Sequence, residues 1–166
     1  QLRFVLESTH SGLADIQEKV VGLEGTVPEI DVKSSDFSSI VQDVVKAVVS
    51  VQTDKAQGSG VFFDSRGYIL TNEHVIEGAS TLRVVDYQSQ MYMVDIIGTS
   101  DSADLAVLKI RESGSFNFLR FADTVAVGER VIAVGNPIGL SFSVTEGIVS
   151  ATDRKIDASG VGYIQT

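Results

Sequence analysis

The chain has 166 residues, of which 43% are hydrophobic, and its formal net charge is −9. This length supports one well-formed core, and the charge argues against a nucleic-acid partner, which needs a continuous Lys/Arg surface. With no cysteine and only two histidines, the sequence indicates no disulfide, no metal site and no cofactor.

The first segment, residues 1–28, has the heptad spacing of a helix that packs along one narrow seam. One heptad position holds Leu6, Leu13, Val20 and Val27, and the other holds Leu2, Thr9, Ile16 and Leu23. Three glycines weaken this helix by up to about 1 kcal/mol each, and Pro28 ends it. Two interpretations stay open: self-association as a coiled coil, and an amphipathic helix folded back on its own domain.

Residues 29–46 predict a polar linker followed by a short helix. Ser35 or Asp36 can cap that helix, which we expect to run to about Val45. Its apolar face would be formed by Phe37, Ile40, Val41 and Val44.

From Ala47 onward the pattern changes to short β-type runs. We predict strands at residues 48–53, 60–64, 68–71, 81–86, 91–97 and 105–110, with Gly67 taking a positive φ in a tight turn at 64–67. Six short strands at this spacing predict a small antiparallel barrel over residues 47–121. Residues 122–166 predict three further strands, at 130–134, 143–151 and 162–166, which are too few to close a second barrel.

Two residues have the chemistry of a hydrolytic site. His74 follows an apolar strand and precedes a predicted helical turn at 74–77, and Asp104 opens another apolar strand. A buried carboxylate that accepts from histidine Nδ1 fixes the tautomer and stabilises the imidazolium. From the residues alone, a lone histidine such as His74 is more often structural, Asp104 can be a turn carboxylate, and Asp101 competes for either role.

An ordered series of motifs resembles the HtrA/Deg family of trypsin-like serine proteases. The series covers residues 37–166 and consists of Gly-Ser-Gly-Val-Phe-Phe at 58–63, Gly-Tyr-Ile-Leu-Thr-Asn-Glu-His-Val at 67–75, Asp-Leu-Ala-Val-Leu-Lys at 104–109, Val-Gly-Glu at 127–129, Val-Gly-Asn-Pro-Ile-Gly at 134–139, Val-Thr-Glu-Gly-Ile-Val-Ser at 144–150 and Tyr-Ile-Gln-Thr at 163–166. Any one motif would be weak, whereas the series in this order is specific. One departure is Lys46, at a position before the first strand where many members have proline.

The resemblance implies a mainly β, chymotrypsin-like double barrel. The first barrel (47–121) would be complete and the second (122–166) only partly present, preceded by the helical coiled-coil-like segment (1–28) and the linker with its short helix (29–46). His74 would be the catalytic base and Asp104 its orienting partner. The nucleophilic serine would lie in a Gly-Asn-Ser-Gly-Gly turn, which this sequence does not contain. Ser59 belongs to the structural Gly-Ser-Gly, and Ser141 and Ser143 follow the Gly-Asn-Pro segment.

The implied activity is that of an ATP-independent serine endopeptidase of protein quality control that cleaves unfolded or damaged polypeptides through an acyl-enzyme. The chain alone should be inactive, because it carries His and Asp without the serine. We expect a homo-oligomer, a trimer or a multiple of it, that acts outside the cytoplasm: in the periplasm, at a cell-surface membrane face or in an organelle. Because Gln1 is not a native start, we also expect a signal peptide or membrane tether upstream.

Two questions stay open at this stage. The alternative function is a non-catalytic, oligomeric peptide-binding module with a degenerate protease lobe. The serine-bearing segment is either absent from the protein or follows residue 166. Residues 153–162 fall where the family carries a regulatory loop that senses an activating ligand, and an ordinary hairpin loop is the alternative.

Overall fold

The computed structural model describes residues 38–136, 142–155 and 162–166. Its helices are α1 (Ser38–Val44) and α2 (Glu73–Ile76), with 3-10 turns at Val45–Ala47 and Asp101–Ala103. Its strands are β1 (Val48–Thr53), β2 (Gln57–Asp64), β3 (Tyr68–Thr71), β4 (Leu82–Val85), β5 (Met91–Ser100), β6 (Leu105–Ile110), β7 (Arg130–Gly135), β8 (Ser143–Ile148), β9 (Ala151–Arg154) and β10 (Tyr163–Gln165).

The first six strands form a closed antiparallel barrel in the order β1-β2-β3-β6-β5-β4. Closure is completed where β4 pairs back with β1, for example Val84 opposite Val51. This confirms the predicted six-stranded barrel, and the predicted bounds of β1, β3 and β6 coincide with the observed ones. Every strand of the closed barrel pairs with two neighbours, so the barrel is a rigid support for its loops.

The barrel interior is a single apolar core. Its members are Val49, Val51, Phe62, Ile69, Val75, Ile76, Val84, Val94, Ala106, Leu108 and Ile110. In β6 the buried residues alternate with more exposed ones, as the two-residue period of a strand requires. Phe116 closes the core from the loop after β6, because its ring stacks on Phe62 at 4.9 Å and meets Tyr92 edge-on at 5.7 Å.

Two glycines allow the chain to pack and turn tightly. A Cβ on Gly60 would lie 2.8 Å from Ile69 Cγ2 and 3.0 Å from Val51 Cγ2, so only glycine lets β2 lie this close to the core. The predicted start of β2 at residue 60 is wrong, because Gln57, Gly58 and Ser59 also pair with β1 and the strand begins at Gln57. Gly67 has φ +91°, and its N–H donates to Asp64 O at 3.0 Å, which confirms the predicted turn.

Strand β5 is longer than predicted and contains a bulge. Its pairing with β6 skips one residue between Ile96 and Gly98, so Ile97 has no partner opposite it. The side chain of Ile97 is 56% exposed. The bulge lets the strand continue to Ser100, whereas the sequence pattern predicted an end at residue 97 because Gly98 resembled a breaker.

Residues 122–166 contribute two separate two-stranded sheets within the described ranges, β7 with β8 and β9 with β10. The prediction of one strand over residues 143–151 is therefore wrong. The backbone changes partner at Val149, which is fully buried. Val149 N–H donates to Glu129 O at 2.9 Å, and Ser150 N–H donates to Gln165 O at 2.7 Å.

Helix α1 has a narrower apolar face than predicted. Val41 and Val44 are half-buried, whereas Ile40 is 48% exposed. Some predictions concern residues outside the described ranges and stay predictions. They are those made for Phe37, the heptad segment of residues 1–28, Ser141 and most of the predicted regulatory loop. In the described ranges, no helix combines the length and apolar character needed to cross a bilayer.

Replacing Leu108 with alanine should destabilise the barrel strongly. Leu108 is 0% exposed at the centre of the core, and the cavity left by such a truncation costs about 2–5 kcal/mol. Urea unfolding followed by circular dichroism measures the loss. Ile97→Ala, at the exposed bulge, is the matched control and should cost less than about 1 kcal/mol; equal losses for the two variants would contradict the assigned core.

Candidate active site

His74 lies on helix α2, directly after strand β3. Two residues of that helix, Val75 and Ile76, are 6% and 5% exposed and belong to the barrel core. They anchor the helix, so the ring of His74, 66% exposed, is carried on a fixed support at the barrel rim. The helix covers Glu73–Ile76, one residue earlier than the predicted turn.

Asp104 lies at the start of strand β6 in a left-handed backbone conformation, with φ 50° and ψ 48°. The 3-10 turn Asp101–Ala103 precedes it, and Asp104 N–H donates to Asp101 O at 3.1 Å. Asp and Asn are the side-chain-bearing residues that most readily adopt this conformation. The turn therefore directs the chain into β6 with the Asp104 side chain at the barrel rim.

Strand pairing brings His74 and Asp104 together. Strands β3 and β6 are antiparallel neighbours, and Thr71 lies opposite Ala106. The residues after Thr71 and those before Ala106 therefore leave the sheet at the same edge. His74 and Asp104 meet there, as the sequence motifs predicted.

Both carboxylate oxygens of Asp104 contact His74. The ring Nδ1 lies 2.8 Å from Oδ2, and the backbone N–H donates to Oδ1 at 3.0 Å. An ionised carboxylate only accepts hydrogen bonds, so Nδ1 carries the proton. In the neutral ring the lone pair is then on Nε2, where a base that removes a proton from a hydroxyl needs it.

Asn72 is a third member of this arrangement that sequence reasoning missed. Its amide nitrogen donates to Asp104 O at 3.0 Å and to Asp104 Oδ2 at 3.1 Å. The sequence pattern indicates a different role, since an asparagine directly before a helix is expected to cap it. Here the side chain makes no cap hydrogen bond to α2 and is directed to Asp104 instead.

Hydrogen bonds lower the pKa of the Asp104 carboxyl below its ordinary value. The largest cause is the backbone N–H of His74, followed by the His74 ring, and the Asn72 amide adds to the effect. Partial burial acts in the opposite direction. Asp104 is 42% exposed rather than buried as the triad chemistry led us to expect, so its lowered pKa is due to hydrogen bonding.

Other acidic groups surround the pair. The pKa of Glu73 is raised, first by partial desolvation and then by the negative charges of Glu77, Asp101 and Asp104. Asp101, the competing candidate, provides its backbone oxygen to Asp104 N–H. The local field therefore favours positive groups at this rim.

Ser59 connects parts of the structure rather than facing His74. Its hydroxyl oxygen accepts from Asn136 N–H at 2.9 Å, and its carbonyl accepts from Thr71 Oγ1 at 2.8 Å. Ser143, the other serine considered in the described ranges, is exposed at the start of β8. No group of three His, Asp or Glu side chains in the described ranges is arranged to hold a metal ion.

An apolar cleft of about 400 Å³ adjoins the pair. Its lining includes Asn72 and Leu105, which flank the His74–Asp104 contact, together with Leu70, Leu119, Ile132 and Val134. The cleft thus extends from the rim of the barrel to strand β7. Its chemistry suits an apolar side chain or an extended apolar segment.

Comparisons with known proteins place the chain and its fold in a family. The family model described as a trypsin-like peptidase domain matches residues 58–166. The Serine protease Do-like HtrA of Bacillus subtilis (strain 168) is 38% identical over 152 residues, covering 87% of this chain and 32% of that protein. A probable periplasmic serine endoprotease, DegP-like, of Rhizobium meliloti (strain 1021) is 42% identical over 104 residues, covering 61% of this chain and 21% of that protein.

A solved HtrA-type protease with a tripeptide has a similar structure, with a TM-score of 0.72 at 31% identity, over 79% of this chain and 46% of that one. The chain spans about a third or less of the length of the two relatives described above. It belongs to the trypsin-like peptidases and, within them, to the HtrA/Deg family, as the motifs predicted. The catalytic roles of His74 and Asp104 stay a prediction.

The low pKa of Asp104 should persist largely in His74→Ala. That variant removes the ring contact but keeps the backbone N–H, which is the largest cause of the shift. Carboxyl-carbon NMR should give a titration midpoint of Asp104 that is lowest in the wild type. In the variant, the midpoint should rise only part of the way to its ordinary value. A full return to the ordinary value of about 3.9 would contradict this assignment.

The lowered pKa of Asp104 also determines how the free energy of unfolding changes with pH. Because the folded-state pKa of Asp104 is depressed, its contribution is present above the unfolded-state pKa and is lost as pH falls through the folded-state pKa. The stability advantage of the wild type over Asp104→Asn should therefore shrink as pH decreases below about 4.

Proposed function

We propose that the protein is a serine endopeptidase in which His74 is the general base and Asp104 orients it. The observation that carries the proposal is the contact of His74 Nδ1 with Asp104 Oδ2 at 2.8 Å, made while the backbone N–H of His74 holds Oδ1. In the neutral ring this geometry leaves the lone pair on Nε2 of a largely exposed side chain, which is the arrangement required of the base in a Ser-His-Asp triad.

The nucleophile is proposed to be a serine in a Gly-Asn-Ser-Gly-Gly turn of the complete protein. Its Oγ attacks the scissile carbonyl while Nε2 of His74 takes the hydroxyl proton, and the resulting imidazolium is stabilised by Asp104. His74 then returns the proton to the leaving amine, and water hydrolyses the acyl-enzyme by the same route. The backbone N–H groups of that turn would stabilise the oxyanion. The 166-residue chain on its own is therefore proposed to be inactive.

The proposed substrates are unfolded or damaged polypeptides, cleaved without ATP as part of protein quality control and the response to stress. The apolar cleft beside Asn72 and Leu105 supports this, since unfolded chains expose apolar side chains that folded proteins bury. The site of action is proposed to be outside the cytoplasm, in keeping with the periplasmic serine endoproteases named among the relatives. A membrane tether upstream of Gln1 is part of the same proposal.

A second candidate is an oligomeric module that binds peptides without cutting them. It is favoured by the apolar cleft, which suits an extended apolar segment whether or not that segment is cleaved. The two candidates share the cleft and differ in the role of His74. Proteolysis by the complete protein therefore separates them.

In the complete protein, His74→Ala should abolish casein cleavage, and Asp104→Asn should lower kcat by about 10⁴-fold because the ring loses its orienting partner. Fluorescent casein measures the rate, and circular dichroism with sedimentation velocity checks that fold and assembly are kept. His10→Ala is the matched control, because it removes the other histidine. Unchanged cleavage by His74→Ala would remove His74 from the mechanism, whereas no cleavage by the complete wild-type protein would favour the binding module.

Deleting residues 1–28 should lower the oligomeric state or the stability of the assembly. The heptad positions of this segment are proposed to add to the contacts of a trimer or a multiple of it. Sedimentation equilibrium of the complete protein with and without residues 1–28 measures the change. Leu13→Asp, at a heptad seam position, and Glu18→Lys, off the seam, form a matched pair. Equal assembly in both would remove the segment from the interface.

A further inference from the structure

Asn72 makes contacts that a helix cap does not need. It lies immediately before α2, in extended backbone with φ −80° and ψ 145°, yet makes no side-chain hydrogen bond to that helix. Its amide nitrogen instead donates to Asp104, the residue directly before β6. The nitrogen lies 3.0 Å from the backbone oxygen and 3.1 Å from Oδ2. The side chain is therefore committed to the residue that contacts His74.

We propose that Asn72 is a positioning residue that holds Asp104 in the one backbone and side-chain geometry that contacts His74. The effect of Asn72 on catalysis rests on the proposed function. The contact between Asn72 and Asp104 does not, because it is observed independently of any reaction.

The orientation of the Asn72 amide follows from its partners. The backbone oxygen and the carboxylate oxygen of Asp104 can only accept hydrogen bonds. The amide nitrogen, with two N–H groups, must therefore face Asp104, and one side chain can satisfy both acceptors. The opposite orientation would place the amide oxygen against two acceptors.

The two contacts restrain two different torsions of Asp104. The bond to the backbone oxygen restrains ψ, in a left-handed conformation that L-residues adopt at a cost. The bond to Oδ2 restrains the carboxylate, on the same oxygen that lies 2.8 Å from His74 Nδ1. Without Asn72, the backbone of Asp104 and the direction of Oδ2 would each lose a restraint. The distance from Oδ2 to the His74 ring would then vary more.

Two substitutions separate this role from simple space filling. Asn72→Asp keeps the size of the side chain but replaces the donor with a carboxylate that faces two acceptors. Asn72→Ala removes the donor without adding a repulsive charge. A positioning donor predicts that Asp is the worse substitution, whereas a residue that only fills space predicts that Asp resembles the wild type and Ala is worse.

The first readout does not depend on proteolysis. In the 166-residue chain labelled with ¹⁵N-histidine, the Nδ1–H resonance of His74 is assigned by its loss in His74→Ala, since His10 is the sole other histidine. We expect it to be sharp in the wild type, broadened in Asn72→Ala and lost in Asn72→Asp. The Asp104 carboxyl midpoint should rise in the order wild type, Ala, Asp, because repulsion between neighbouring carboxylates raises a pKa.

The second readout is steady-state cleavage by the complete protein. We expect kcat to fall by about 10- to 100-fold in Asn72→Ala, with KM changed by less than about threefold, and to fall further in Asn72→Asp. Asn117→Ala, at an exposed position in the loop after β6, is the matched control and should match the wild type.

The outcomes distinguish the two proposals. Wild-type behaviour of Asn72→Asp in the resonance and the midpoint overturns the role of Asn72, even if His74 proves essential. The resonance and the midpoint can also follow the predicted order while cleavage survives His74→Ala. That outcome supports the role of Asn72 in holding Asp104 and overturns only the proposed catalytic function.

Discussion

The pairing of β3 with β6 is the constraint on which the site depends. Its register, with Thr71 opposite Ala106, determines that the segment carrying Asn72 and His74 leaves the sheet beside Asp104. A shift of one residue would turn every side chain of one strand to the other face. The barrel core enforces the register, because Ile69 and Leu108 are both 0% exposed and face each other across this pair. Packing inside the barrel therefore fixes the geometry at its rim.

The site also depends on contacts that tie it to residues beyond the barrel. Ser59 accepts a hydrogen bond from Asn136 N–H, at the end of β7, and from Thr71 through its carbonyl. Thr71 precedes Asn72, so two hydrogen bonds through Ser59 and then the backbone connect Asn136 with the residues around His74. The arrangement at the rim therefore involves both groups of strands, although His74 and Asp104 themselves are contributed by the first.

Much of this structure was readable from the sequence, and the exceptions have physical causes. Strands β1, β3 and β6 were predicted with their observed bounds: buried residues alternate along β3 and β6, whereas β1 is a short run whose first four residues are all buried. The start of β2 and the end of β5 were missed because Gly58 and Gly98 lie inside those strands. Glycine marks loops, but here it marks close packing at Gly58 and follows a bulge at Ile97. The His74–Asp104 contact followed from motifs, whereas the role of Asn72 depends on a side-chain direction, since a cap residue can point to its own helix or away from it.

Asp104 has to meet two requirements that most residues meet separately. Its backbone is left-handed, which favours Asp, Asn and Gly, and its side chain supplies a short carboxylate. Asn satisfies the first requirement alone and Glu supplies only a charge, on a longer stem and a less compatible backbone. The substitutions that suit this position are thus few: Asn or Gly would keep the backbone conformation and remove the carboxylate, so on the proposed catalytic role such a change would mark the loss of chemistry without the loss of the fold.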